Sequence, residues 1–132
     1  MEATRFVLRR RVLALIGLLG SLCFAEGCGH SPKQANPDEA PKALRTVLDA
    51  WKGGKTREGF SRESPIQTFD SRWDGGYKLL EYEIGPGETH GYNVNFQVTL
   101  RLEDAKGKKR QEKATYTVAT SPRVSVRCVE DM

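Results

Sequence analysis

The chain has 132 residues, 38% of them apolar and 29% charged, which suits one globular domain and leaves no room for a second of useful size. Its formal charge of +4 says little: of 21 basic and 17 acidic residues, positions 1 to 27 hold four and two, leaving 17 and 15 for the rest. That near balance singles out no charged partner, and without aromatics interleaved among the basic residues a nucleic-acid partner is not expected.

The N-terminus reads as an export signal spanning residues 1 to 27. Arg5 and Arg9-Arg10-Arg11 supply a cationic start, Val12 to Leu22 is apolar except for Gly17, Gly20 and Ser21, and small residues follow at Ala25, Gly27 and Cys28. The run falls short of the roughly 20 residues that span a bilayer. The Arg cluster also fits a loose twin-arginine pattern, though the general secretory route needs nothing more than is present. Two cleavage products follow. A cut after Ala25 would leave a soluble secreted chain in which Cys28 and Cys128 could pair in an oxidising compartment. Alternatively, "AEGC" resembles the lipobox of bacterial lipoproteins, with Gly27 in the small position, Ala25 where leucine is usual and Glu26 where a small residue is usual. That resemblance implies that Cys28 carries the lipid and becomes the first residue, and that the chain is membrane-anchored at the cell envelope. "GHSPKQANPDEAP", with three prolines and no large apolar residue, supports it as a tether, taken here as residues 28 to 37.

The domain is expected to occupy residues 38 to 132. Ala40, Ala43, Leu44, Val47, Leu48 and Trp51 lie on one helical face, and Gly53-Gly54 stops the helix, so the spacing predicts a helix over 38 to 52. From 55 to 76 the pattern loosens. It allows a helical turn in "KTREGFSRES", a short edge strand in "PIQTFD" and a turn in "SRWDGG", with Ile66, Phe69 and Trp73 closing one end of the core.

Four strands then follow by alternation. Tyr77 to Ile84 sends Leu80, Tyr82 and Ile84 to one face, and "GPGETHGY" makes a loop. Asn93 to Leu102 alternates Val94, Phe96, Val98, Leu100 and Leu102 inward. A turn at "EDAKGKK" leads into Arg110 to Ala119, and Arg123 to Val129 places Val124, Val126 and Cys128 inward. One-sided alternation means an antiparallel sheet wet on one face, covered on the other by the long helix. The expected fold is α+β: one N-terminal helix on a curved four-stranded antiparallel sheet.

The phrases "LRTVLDAWKGGKTREGF", "DSRWDGGYKLLEYEI" and "VNFQVTLRLEDAKGKKRQEKATYTVATSPRVSVRC" resemble the cystatin-like or NTF2-like class, and within it small exported bacterial lipoproteins of uncharacterised function. The resemblance covers about residues 38 to 130 and implies a fold without implying a reaction. The Gln-x-Val-x-Gly hairpin of cystatin-type inhibitors is missing, since Gln97 is followed directly by Val98. Asp70 and Asp74 beside Trp73 are the acids that could serve as a base of the isomerase kind, but turn formation next to Gly75-Gly76 is the simpler account of them.

No catalytic constellation, metal-ligand spacing or cofactor motif is present: His30 and His90 sit in polar stretches with no partner at ligand spacing. Lys106, Lys108, Lys109 and Arg110 make a basic hairpin tip that reads as a solvated turn. Two functions stay open. One is a non-catalytic binding or interaction module at the envelope, with an unidentified protein or small-molecule partner. The other is a ligand or enzymatic pocket between helix and sheet, bounded by Trp51, Trp73 and Tyr82.

Overall fold

The computed structural model describes residues 33–131. Helix α1 (Glu39–Lys52) buries the six residues of its apolar stripe, Ala40, Ala43, Leu44, Val47, Leu48 and Trp51. Its first turn is capped by Asn36, which lies before the helix. Asn36 Oδ1 accepts from the backbone N–H of Asp38 (2.9 Å) and of Glu39 (3.4 Å), while Asp38 makes no side-chain cap. At the other end the chain leaves through Gly53 and Gly54, the latter at φ +89°.

Three short elements follow. Helix α2 (Arg57–Glu63) is capped by the Thr56 hydroxyl, which accepts from Gly59 N–H at 3.0 Å. Strand β1 (Gln67–Phe69) leads into α3 (Ser71–Asp74), whose N-cap is Asp70. Then come β2 (Lys78–His90), β3 (Asn93–Glu103), β4 (Lys109–Ala119), β5 (Ser125–Cys128) and a single 3-10 turn, Val129–Asp131.

The architecture is α+β as expected, but the sheet has five strands, in the order β1-β5-β4-β3-β2, and it is mixed. The expected four-stranded antiparallel sheet is corrected in one respect: β1 joins it and pairs parallel to β5, with Gln67, Thr68 and Phe69 opposite Ser125, Val126 and Arg127. The chain lays down β1 before crossing through α3 to the far edge, and β5 returns to the free side of β4 beside it. Alternation reports which face a residue takes; it carries no information on the direction of a neighbour met more than 50 positions later.

Two local corrections follow from bulges. "GPGETHGY" is strand to His90, closed by a two-residue turn at Gly91 and Tyr92 with Gly91 at φ +58°. Register shifts between Leu79 and Glu81 and between Ile84 and Gly87 keep the longer strand in phase. The first shift also puts Leu79, rather than Leu80, into the core. Pro86 is tolerated inside the second because β2 is an edge strand. In β1, period two turns Thr68 inward, so Phe69 does not close the core: it is 47% exposed, with the Arg127 guanidinium 4.8 Å and the Arg57 guanidinium 5.8 Å from its ring centre.

The core lies between α1 and the sheet. Leu44, Leu48, Val98, Leu100, Leu102, Val118, Val126 and Cys128 are fully buried, with Phe96 and Tyr116 nearly so. The domain has two ends. One carries the β2–β3 turn and the β4–β5 connection, and the leader is tied to it: Lys33 N–H donates to Ser121 Oγ (3.3 Å), Ala35 N–H to Gly91 O (3.2 Å) and Asn36 N–H to Thr120 Oγ1 (2.9 Å). Ala35 is buried there, a docking that the proline-rich composition of this stretch does not announce. The other end carries the C-terminus of α1, the start of β2 and the β3–β4 turn, where Asp104 Oδ1 accepts from Lys106 and Lys108 N–H (2.9 and 2.8 Å).

Candidate functional site

The two tryptophans meet at that second end. Trp51 closes the apolar stripe of α1 and Trp73 sits on α3. Their rings stack at 5.8 Å with 16° between planes, and Phe60 tilts against Trp73 at 5.9 Å. Each indole N–H donates to a backbone carbonyl, Trp51 to Tyr77 O and Trp73 to Lys55 O, both at 2.8 Å. The pair therefore acts first as core, with its polar handles satisfied. In front of it lies a cleft of about 530 Å³ walled by the Gly54–Glu58 stretch and by Gly76 to Leu80. Its rim carries Lys52, Lys55, Arg57 and Lys78 against Glu58 and Asp74. Arg57 is committed within the domain, to Asp74 Oδ1 at 2.5 Å and to Thr68 O at 3.5 Å.

Tyr82 does not join them. Its hydroxyl donates to Asp49 Oδ1 at 2.5 Å, and burial together with that carboxylate pushes the phenol up to about 12. It borders a separate hollow with Lys52, Glu81, Glu83, Thr99, Arg101 and Gln111. Of the three residues expected to bound one pocket, the structure brings together Trp51 and Trp73, at the end of the helix rather than beneath it.

A second cluster holds the groups best suited to chemistry. Asp70 caps α3, accepting from Arg72 N–H at 3.0 Å and Trp73 N–H at 3.4 Å, and its other oxygen accepts a short hydrogen bond from the Tyr116 hydroxyl. Arg72 reaches Glu112 at 2.6 Å through Nε, Glu130 through Nη2 and Cys128 Sγ at 3.3 Å through Nη1. Tyr116 and Cys128 are direct partners across β4 and β5.

Burial raises the Asp70 carboxyl above its ordinary range, against the opposing pull of the Tyr116 hydroxyl and the two cap N–H groups. Burial also raises the Tyr116 phenol and the Cys128 thiol. Burial works against the Arg72 charge, but Glu130 and Glu112 outweigh it and hold the guanidinium protonated.

Asp70, Tyr116 and Cys128 are 2%, 1% and 0% exposed. A base or a thiol nucleophile must touch its substrate, and a carboxylate spent on a helix cap and a buried phenol, beside a thiol held neutral, offers no such access. The cluster instead fastens β1 and α3 to β4, β5 and the final turn. Asp70, which the sequence allows as a base or a turn residue, is a helix cap with a long-range partner, and the 46 positions separating it from Tyr116 leave no local signal for that contact.

The remaining candidates lie at the surface. Asp74 is paired with Arg57. His90 is exposed, 3.4 Å from Glu88. Arg110 of the basic hairpin lies 4.7 Å over the Tyr77 ring and pairs with Glu112 at 2.9 Å. Among the described residues no group of three or more His, Cys, Asp or Glu is arranged to hold a metal ion, and no helix is long and apolar enough to cross a membrane. Cys28 lies outside the described residues. Compared with known proteins, the chain matches no family model and no curated sequence.

Proposed function

We propose that the protein is an exported envelope lipoprotein of bacterial type, anchored through Cys28, whose single helix-on-sheet domain of cystatin-like or NTF2-like kind acts by binding rather than by catalysis. One observation carries the non-catalytic part: the carboxylate, phenol and thiol suited to chemistry, Asp70, Tyr116 and Cys128, are sealed and engaged within the core, while the cleft before Trp51 and Trp73 stands at the surface. The anchored part is supported by the cationic, apolar and small-residue succession of residues 1 to 28.

Intact-mass analysis of membrane-fraction protein tests the anchor. The expected mass is that of a chain beginning at Cys28 with acyl groups added, and Cys28→Ser should lose the acyl mass and leave the membrane with folding intact. A chain beginning at Glu26 with one Cys28–Cys128 bridge would replace this reading by the soluble secreted one.

The cleft volume favours a second reading, a small-ligand site, because it falls within the roughly 300–1,000 Å³ of ligand pockets. Anilinonaphthalene sulfonate, an anionic aromatic, matches the basic rim. Saturable energy transfer to it from Trp51 and Trp73, lost in Lys55→Glu, would support a ligand site there. No transfer would leave the interaction module alone.

A further inference from the structure

The leader is fastened to one end of the domain and the tryptophan cleft opens at the other. Lys33, Ala35 and Asn36 hydrogen-bond to Ser121, Gly91 and Thr120, so the chain enters beside the β2–β3 turn and the β4–β5 connection. Only Gly29 to Pro32 stand between Cys28 and Lys33. Five residue steps span at most about 18 Å when fully extended. A lipid on Cys28 would therefore hold this end close to the headgroups, whatever the conformation of the intervening residues.

The same end presents Tyr92 at the tip of the β2–β3 turn. It is 55% exposed, the more exposed of the two large hydrophobic side chains on the described surface. Tyrosine favours the membrane–water boundary, where its ring can sit among the headgroups with its hydroxyl wet. Charge does not make this surface basic: Lys33 and Arg123 are offset by Asp38, Glu39 and Glu88, all exposed. The affinity must come from the acyl chains, and the protein surface supplies orientation.

We propose that the end formed by Gly91, Tyr92 and Thr120 to Arg123 rests on the phospholipid headgroup layer, with Tyr92 at the interface, and that the cleft is thereby presented away from the membrane. The proposal rests on the lipoprotein reading. The separation is large, since the 11 residues of β3 run from one end to the other, about 35 Å at strand rise.

The chain carries two tryptophans, Trp51 and Trp73, both buried at the far end. They provide an internal control for quenching by brominated phosphatidylcholine. The acylated full chain, its acyl mass confirmed, is reconstituted into vesicles of that lipid as wild type, Tyr92→Trp and Lys106→Trp. The emission added by Tyr92→Trp should be largely quenched; that of the wild type and that added by Lys106→Trp should not. His90→Trp, at an exposed neighbouring position, serves as a second reporter and should behave as Tyr92→Trp does.

If the acyl mass is present and both reporters at positions 90 and 92 are unquenched, whether open to water or covered by another protein, the docking surface is overturned and the anchor stands. If Lys106→Trp is quenched instead, the orientation is reversed and the proposal fails. If membrane-fraction protein carries no acyl mass, the anchor reading and the docking surface fall together.

Discussion

Gly87 and Phe96 face each other across β2 and β3, and the pair makes a quantitative prediction about the core. A Cβ built on Gly87 would lie 2.6 Å from Phe96 Cε1, 3.0 Å from its Cζ and 3.0 Å from Val94 Cγ1. Glycine is there for space, because the edge of the Phe96 ring occupies the place of a Cβ, and not for a positive φ. Gly87→Ala must therefore displace the Phe96 ring, at about 1–3 kcal/mol by the usual cost of overpacking.

Phe96, 4% exposed and paired on its other side with Tyr116, should cost about 3–5 kcal/mol when truncated to alanine. That is a large share of the roughly 5–15 kcal/mol available to a domain of this size. In the double variant the ring is gone and the new methyl enters the vacated space. The combined loss should then fall short of the sum of the single losses by at least about 1 kcal/mol. Urea titrations followed by far-UV circular dichroism measure all three variants, with an unchanged slope as the check on two-state behaviour. Should Phe96→Ala be too weak to titrate, Phe96→Leu takes its place in the same cycle. Losses that add to within about 0.5 kcal/mol would mean the two residues do not touch, and the register of β2 beyond its second bulge would be wrong.

Tyr116→Phe should cost about 1–3 kcal/mol in the same assay, because it leaves a nearly buried carboxylate without its phenolic donor; a neutral effect would remove the short Asp70 contact. Asp70 titrates above the ordinary aspartate value of 3.8, so the folded chain holds that proton more tightly than the unfolded one. Its contribution to stability is therefore greatest below 3.8 and is lost as pH rises through the folded value. Urea midpoints from about pH 3 to about pH 7 should fall more in the wild type than in Asp70→Asn, and parallel curves would contradict the shift. Cys128 is a buried free thiol raised by burial. Peptide mapping after alkylation near pH 8 should find it unmodified in the folded protein and modified in urea; ready labelling without urea would place it at the surface.

Elements whose residues repeat on a local period are legible in the amino-acid order alone. The stripe from Ala40 to Trp51 yields α1 to within a residue of its start, and the alternation from Val94 to Leu102 and from Ala114 to Val118 yields the burial of β3 and β4. It also assigned Cys128 an inward position, as a buried thiol in step with Val126. These follow because one apolar face is enough to orient a helix or a strand.

Features that depend on neighbours far along the chain emerge only when the chain is folded. Composition marked the leader as a tether, yet Lys33 to Asn36 dock on groups 56 to 88 positions away. The pocket reading places Tyr82 beside the tryptophans, whereas its hydroxyl is held by Asp49 and it borders a separate hollow. Asp70 looked like a turn residue or a base, and only the return of β4 supplied Tyr116. The parallel β1–β5 pair has the same origin: strand direction and polar partners depend on which backbone edges and buried donors need a partner in the assembled sheet, a quantity no local window of sequence contains.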